Sequence, residues 1–293
     1  MRVLILGGAG MLGHTLWRRW RRRFDVFVTV RKAASYYQTL DLFDPERLMG
    51  GIDVRRAEDM LAAFAWSRPE VVINGVGIIK QLKESEDPLL SVEINALLPH
   101  RVALACRAIG ARFIHISTDC VFSGKAGRYT EQSISDATDL YGRTKYLGEV
   151  REHGALTVRT SIIGREIETN RGLIEWFLAQ RGGRCRGFSR AIFSGLTTHA
   201  LADLLADVIV GHPTLHGLYQ VSSDPISKYE LLRLVNEVYR LGVTIEKEDE
   251  FICDRSLDST RFREATGWRP ESWKDMIVEM NRDSSPDRLR SSS

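Results

Sequence analysis

The run Val3–Leu6 is uniformly apolar and stops directly on Gly7-Gly-Ala-Gly10-Met-Leu-Gly13. A buried strand that ends in glycines and passes into a helical pattern over Met11–Arg23 leaves the backbone few options. Gly7 permits a tight turn, Gly10 lets the backbone approach a pyrophosphate, and Gly13 lets the helix pack closely on the strand. Met11 and Leu12 belong to the same candidate phosphate cradle. Strand, turn and helix in this order begin a parallel βαβ unit, and the chain goes on to repeat it.

Arg2–Leu6, Val26–Val30, Val71–Asn74, Arg112–Ser117 and Leu156–Arg159 read as strands. Met11–Arg23, Ala57–Trp66, Pro99–Ile109 and Tyr141–Glu152 read as the helices among them. This alternation predicts an α/β fold, a doubly wound parallel Rossmann sheet covered on both faces. Ligands of such sheets bind beyond the carboxyl ends of the strands, where Gly7, Asn74, Gly75, Ser117, Thr118 and Arg159 fall. After about Gly164 the pattern loosens. Gly172–Arg181, Thr198–Ile209 and Lys228–Tyr239 look helical, the last with Ser227 as its N-cap, and Gly217–Val221 reads as a strand. The expected organisation is a cofactor-binding domain over 1–163, with an element around 189–222 returning to it. A smaller α/β substrate lobe follows over 164–282, and 283–293 reads as a frayed polar tail.

Composition is that of a globular chain: 43% hydrophobic, 27% charged, in 293 residues. A net charge of +3 is too small to argue for nucleic acid. The basic run Arg18–Arg23 fits the solvent face and C-terminal end of the first helix, where cations complement the helix dipole. Cys106, Cys120, Cys185 and Cys253 are widely spaced, without a CxxC pair, so neither a zinc site nor a disulfide framework is expected. The N-terminus lacks the pattern of a signal peptide, and no stretch approaches ~20 apolar residues. A cytoplasmic protein with no metal, no nucleic acid and no membrane partner is the expectation, with a homodimer possible.

Tyr141-Gly-Arg-Thr-Lys145 carries the chemistry. A Tyr and a Lys four apart share a helix face, and an ammonium beside a phenol favours phenolate. Thr118, or Ser117 beside it, can hold a carbonyl oxygen while Tyr141 protonates it as general acid. Lys145 lowers the Tyr pKa and can also hold ribose hydroxyls. Together with the glycine turn these residues describe a nicotinamide-dependent reductase. Arg31 and Lys32 follow the second strand where a carboxylate would indicate NAD. A guanidinium there suits a 2′-phosphate, so NADP(H) is expected; the alternative is an exposed basic loop. Asp53, with Val54, either meets the adenine edge or caps the helix that follows.

The chain resembles an extended short-chain dehydrogenase/reductase of the dTDP-4-dehydrorhamnose reductase-like branch. The resemblance rests on Gly7–Gly13, Ile116-Ser-Thr-Asp-Cys-Val-Phe-Ser-Gly124, Tyr141–Glu149, Val158-Arg-Thr-Ser161, Gly217–Ser222, and Arg255–Asp258 with Trp268. It implies a nucleotide-sugar substrate, and reduction of a 4-keto group on its nucleotide-linked deoxysugar by NADPH, with Thr118, Tyr141 and Lys145 in the roles above. Rhamnose-forming members carry Tyr where this chain has Cys120 and Trp where it has Ile162, at positions facing the sugar, which leaves the exact sugar open. Lys80 can meet the substrate pyrophosphate or be a solvated loop lysine. Arg255 can grip that pyrophosphate or form a salt bridge to Asp254 or Asp258.

Two other functions fit the same residues. A GDP-fucose synthase-like epimerase–reductase would use Cys120 for proton transfer, unless that thiol merely fills space. A non-catalytic subunit that binds NADP, like the regulatory subunit of methionine adenosyltransferase, would keep the fold without turnover.

Overall fold

The computed structural model describes residues 1–79, 86–152 and 154–282; Lys80 and the expected tail over 283–293 lie outside the described residues. The chain divides into two compact units. The first comprises Met1–Ser117, Asp139–Val158 and Leu205–Leu218; the second comprises Thr118–Thr138, Arg159–Leu204 and Tyr219 onward.

The strands of the first unit are β1 (Arg2–Leu6), β2 (Asp25–Thr29), β3 (Leu48–Met49), β4 (Val71–Asn74), β5 (Arg112–Thr118) and β6 (Ala155–Thr160). Its helices are α1 (Met11–Trp20), α2 (Ala34–Gln38), α3 (Ala57–Ser67), α4 (Pro88–Ser91), α5 (Leu98–Ile109) and α6 (Leu140–Leu147). β1 lies parallel to both β2 and β4, with Leu6 opposite Thr29 on one side and Asn74 on the other. Strand order reverses there, so the carboxyl end of β1 is a topological switch point, where this class of sheet binds ligands. Leu4, Leu6, Phe27, Phe64, Val72, Val102 and Phe113 form one buried cluster, as continuous apolar strands covered by helices require.

Later in the chain come β7 (Ile162–Ile163), α7 (Leu173–Leu178), β8 (Arg184–Phe188), β9 (Ala191–Phe193), β10 (Leu196–Thr197), α8 (Thr198–Gly211) and β11 (Gly217–Gln220). They are followed by β12 (Ile226–Ser227), α9 (Lys228–Tyr239), β13 (Thr244–Glu248), β14 (Cys253–Asp254), α10 (Thr260–Thr266) and α11 (Trp273–Arg282). The large parallel sheet has seven strands in the order β11-β6-β5-β4-β1-β2-β3. The smaller unit instead uses short pairings: β8 with β13, β7 with β10, and β12-β9-β14. Ser227 caps α9, its hydroxyl accepting the Glu230 N–H at 3.1 Å. A buried ion pair, Arg165 Nε to Glu175 Oε1 at 2.7 Å, anchors the chain ahead of α7.

Three expectations are corrected. The helix bearing Tyr141 ends at Leu147 rather than Glu152. The next residue, Gly148, passes so close to Asn95 that a Cβ there would lie 2.0 Å from the Asn95 carbonyl oxygen, and the chain turns away. α1 ends at Trp20, short of the last arginines, and Arg23 turns to pair with Asp207 at 3.1 Å. Finally, Pro88–Ile109 is one helical run of 22 residues, long and apolar enough by length and composition to cross a membrane. One face of it, including Leu98, Val102 and Cys106, is spent on the sheet core. Its middle, Val92–Leu97, is a π-helix, the widened turn that often marks a functional position.

Candidate active site

The glycine turn is shaped by contacts that a side chain would prevent. Gly7 has φ +82°, and a Cβ there would meet Val76 Cγ2 at 3.0 Å. A Cβ on Gly13 would lie 2.2 Å from the Gly7 carbonyl oxygen and 2.8 Å from Gly8 Cα. α1 can therefore sit this close to β1 only as glycine. Gly10 occupies the N-cap position without a side-chain cap, and α1 carries no acidic residue in its first turn. Bare backbone N–H groups at the positive end of a helix dipole make a cradle for a pyrophosphate. Leu12 is buried beneath it and Met11 half-buried.

Beside this cradle the end of β2 passes into exposed Arg31 and Lys32, with the Lys32 ammonium 3.9 Å from the Tyr36 ring centroid. The Val30 carbonyl accepts the Ile52 N–H at 3.1 Å and the Lys32 carbonyl accepts the Gly51 N–H at 2.9 Å, so the segment leading to Asp53 and Val54 lies alongside. Asp53 is not the helix cap: Arg56 holds the N-cap position of α3. The Asp53 carboxylate accepts the Arg55 N–H at 3.1 Å and the Arg55 Nε–H at 2.9 Å. The hydrogen-bonded Arg55 guanidinium lowers its pKa.

From β1 the lining continues into the loop after β4. Gly75 donates to the Leu6 carbonyl at 3.1 Å, and the buried Asn74 side chain accepts the Val76 N–H at 3.1 Å. A Cβ on Gly77 would lie 3.4 Å from Asn95 Oδ1 and 3.9 Å from Lys145 Nζ, which ties this loop to the helix carrying Tyr141. Asp139 caps that helix through the Gly142 N–H at 2.9 Å. Tyr141 is half-buried in its first turn; Lys145, one turn on, is 5% exposed. The Lys145 ammonium donates to the Ile116 carbonyl at 2.8 Å, and burial lowers its pKa to about 8, against the opposing pull of Glu149. Ser117, the alternative to Thr118 for holding a carbonyl oxygen, donates to the Glu149 carboxylate at 2.9 Å.

Two residues here were not foreseen. Asn95, in the π-helix, accepts the Ile78 N–H at 2.9 Å and returns a bond to the Ile78 carbonyl at 3.1 Å, while reaching Thr144 at 3.4 Å. It fastens the loop after β4 to α6. His115 sits 3.2 Å from the Asn74 amide, and burial holds its pKa well below the ordinary histidine value, with Lys145 adding to the effect. A lone amide between Ile94 and Ala96, and a lone imidazole within the strand Phe113–Ile116, were the available signals.

Within the second unit, Thr118, Cys120 and Arg255 come together. The Thr118 hydroxyl accepts the Cys120 N–H at 3.1 Å and donates to the Asp119 carboxylate at 3.2 Å. Burial raises the Asp119 pKa, opposed by the charge of Arg255. Arg255 Nε donates to the Phe122 carbonyl at 2.8 Å, and its Nη1 lies 3.8 Å from Cys120 Sγ. The neighbouring carboxylates Asp254 and Asp258 take the backbone N–H groups of Ser256 and Thr260, each at 2.9 Å. Burial, aided by Asp119, pushes the Cys120 thiol up to about 12. Ile162 is half-buried in β7, in register with Leu196.

A model of the RmlD substrate binding domain matches residues 1–284. The spore coat polysaccharide biosynthesis protein SpsK of Bacillus subtilis is 28% identical over 95% of this chain and 96% of its own length. A dTDP-4-dehydrorhamnose reductase of Streptomyces griseus is 31% identical over 50% of this chain and 43% of its own. The mouse methionine adenosyltransferase 2 subunit beta is also 31% identical, over 57% of this chain and 48% of its own. Among solved structures, a hypothetical dTDP-4-dehydrorhamnose reductase from Sulfolobus tokodaii superposes with a TM-score of 0.76 at 25% identity, covering 95% of this chain and all of that one. The dTDP-4-dehydrorhamnose reductase of Bacillus anthracis in complex with NADP reaches 0.79 at 20% identity, covering 97% and 99%.

Proposed function

The chain belongs to the RmlD substrate binding domain family, in the dTDP-4-dehydrorhamnose reductase-like branch of the extended short-chain dehydrogenase/reductases, and on that premise we propose an NADP(H)-dependent reductase of a 4-keto group on a nucleotide-linked deoxysugar. One observation carries the reading. Lys145 is buried with its ammonium on the Ile116 carbonyl, one helical turn after Tyr141, and its pKa falls to about 8. A buried cation on the helix face of a phenol favours the phenolate and so suits a proton-donating tyrosine.

The cradle fits a dinucleotide: Gly7, Gly10 and Gly13 leave bare backbone for a pyrophosphate, and Arg31 with Lys32 offers cations for a 2′-phosphate. When bound, the cofactor supplies the hydride that reduces the carbonyl carbon. The residues of the chain do the rest. Tyr141 donates its phenolic proton to the carbonyl oxygen. Thr118 holds that oxygen with its hydroxyl, and Lys145 stabilises the phenolate left behind. Arg255 takes substrate phosphate oxygens, with Cys120 and Ile162 bounding the sugar in place of aromatic rings.

The test is loss of NADPH absorbance with dTDP-4-dehydrorhamnose and the corresponding UDP- and GDP-linked 4-keto sugars. Turnover of at least one is expected, and silence with all three would reject the reductase. The similarity to the methionine adenosyltransferase subunit supports the second reading, a cofactor-binding partner protein, and that silence would select it. An epimerase step through Cys120 has less support, since a thiol raised to about 12 stays protonated and offers little thiolate to take a proton. Deuterium incorporation at the sugar C3 or C5 would restore it. Similarity to SpsK supports a place in polysaccharide biosynthesis. Arg31→Asp tests the cofactor: NADPH affinity should fall about tenfold or more, as loss of a charge-assisted phosphate contact predicts, while NADH affinity holds.

A further inference from the structure

Arg159, at the carboxyl end of β6, is 1% exposed and among the largest fully buried side chains. A buried guanidinium is costly to desolvate and is seldom needed for stability alone. Its guanidinium lies over the Phe122 ring, 4.9 Å from the centroid. The same ring is stacked on Tyr129 at 4.0 Å with only 3° between the planes. The Tyr129 hydroxyl in turn accepts the N–H groups of Gly124 and Ala126, each at 3.1 Å, and so closes the loop on itself. The backbone of Phe122 is held separately, its N–H by the Asp119 carbonyl at 3.0 Å and its carbonyl by Arg255. Phe122 is thus gripped through its ring by one arginine and through its carbonyl by another.

We propose that Arg159 is a positioning residue: through the Phe122–Tyr129 stack it fixes the Thr118–Tyr129 loop, and with it the hydroxyl of Thr118 and the thiol of Cys120. β6 is a rigid base for this, because the Arg159 carbonyl accepts the Val221 N–H at 3.0 Å. A cation over one ring of a stacked aromatic pair fixes ring position more tightly than an apolar side chain would. The catalytic consequence rests on the reductase reading, whereas the loop consequence does not.

The test compares Arg159→Met, Phe122→Leu and the double variant with the unaltered full chain, by amide hydrogen exchange and by turnover of dTDP-4-dehydrorhamnose with NADPH. Arg159→Met should speed exchange at the amides of residues 122–126 about tenfold, with β8 and β13 unchanged; a general loss of stability would raise exchange everywhere. It should lower kcat about 10- to 100-fold while the KM for NADPH holds, as misplacement of a positioned group does. The double variant should be no worse than the worse single one, since both cut the same link. Unchanged exchange over 122–126 in Arg159→Met overturns the inference, as does full additivity of the two substitutions. Should Arg159→Met not fold, Phe122→Leu removes the ring and must show the same local exchange. Local acceleration with no turnover in the unaltered protein supports this inference and rejects only the reductase reading. Turnover without local acceleration does the reverse.

Discussion

The glycine turn of the first unit and the Thr118–Tyr129 loop of the second are both irregular, yet they are held by opposite means. The turn is fixed by emptiness: Gly10 and Gly13 let backbone meet backbone within the turn, and Gly7 leaves room for Val76 and the Gly75 backbone. The loop is fixed by large side chains from far away, Arg159, Arg255 and the Ser256 hydroxyl that accepts the Arg128 N–H at 2.8 Å. Backbone-on-backbone packing tolerates no added atom, whereas a side-chain clamp can be weakened by degrees. Substitutions in the turn should therefore act abruptly, and those around the loop should act in proportion to what they remove.

The largest effect should come from neither clamp but from Tyr141, the proposed proton donor. Tyr141→Phe should cut kcat about 10²–10⁴-fold with cofactor affinity intact, read by steady-state kinetics and NADPH titration. If turnover survives, another group supplies the proton. Lys145 comes next, through pH. Its folded pKa of about 8 lies below the ordinary 10.5, so burial disfavours the charged form. Between those values the unfolded chain binds the extra proton, and stability attributable to Lys145 rises as pH climbs through the window and is lost as pH falls through about 8. Denaturation of the wild type and of Lys145→Met at pH 8 and pH 10 should show the wild type gaining up to about 3 kcal/mol relative to the variant. A flat difference would mean that the lysine is not desolvated.

Gly13→Ala sharpens the comparison directly. Its methyl would lie 2.2 Å from the Gly7 carbonyl oxygen, so α1 must shift; about 1–3 kcal/mol of stability should go, with NADPH affinity falling in step. Retention of both would show that the turn is less rigid than its packing implies. Arg255→Ala probes the other clamp and should be the gentlest. The KM for the sugar nucleotide should rise about tenfold while NADPH affinity is unchanged, as expected when one charge-assisted phosphate contact is removed.

How much could be read in advance follows from the same contrast. The sheet strands and the glycine turn were legible because apolar runs and glycines act locally, and the Tyr141–Lys145 pair because helical spacing is fixed. Thr118 and Ser117 stood as alternatives in the linear pattern; strand alternation points Ser117 to the other face, where Glu149 takes its hydroxyl. Asn95 and His115 escaped, and Arg159 was placed only as a strand end, because each matters through a partner 17 or more residues away: Ile78 for Asn95, Asn74 for His115, Phe122 for Arg159. Nothing in a linear pattern announces such a partner. The early end of α6 belongs with them, since it depends on Gly148 meeting the backbone of Asn95.

The order in which the chain builds its two units has a genetic consequence. The backbone changes unit after residues 117, 138, 158, 204 and 218. Neither unit is a contiguous cassette that a single recombination could exchange or a single cleavage could release. A fragment stopping at residue 163 would leave the Arg112 guanidinium without the carbonyls of Val208 and Leu215 that it reaches at 3.1 and 2.9 Å. It would also strip Arg23 of Asp207. A wholesale transplant of either unit would need several simultaneous joins, whereas a point change needs none.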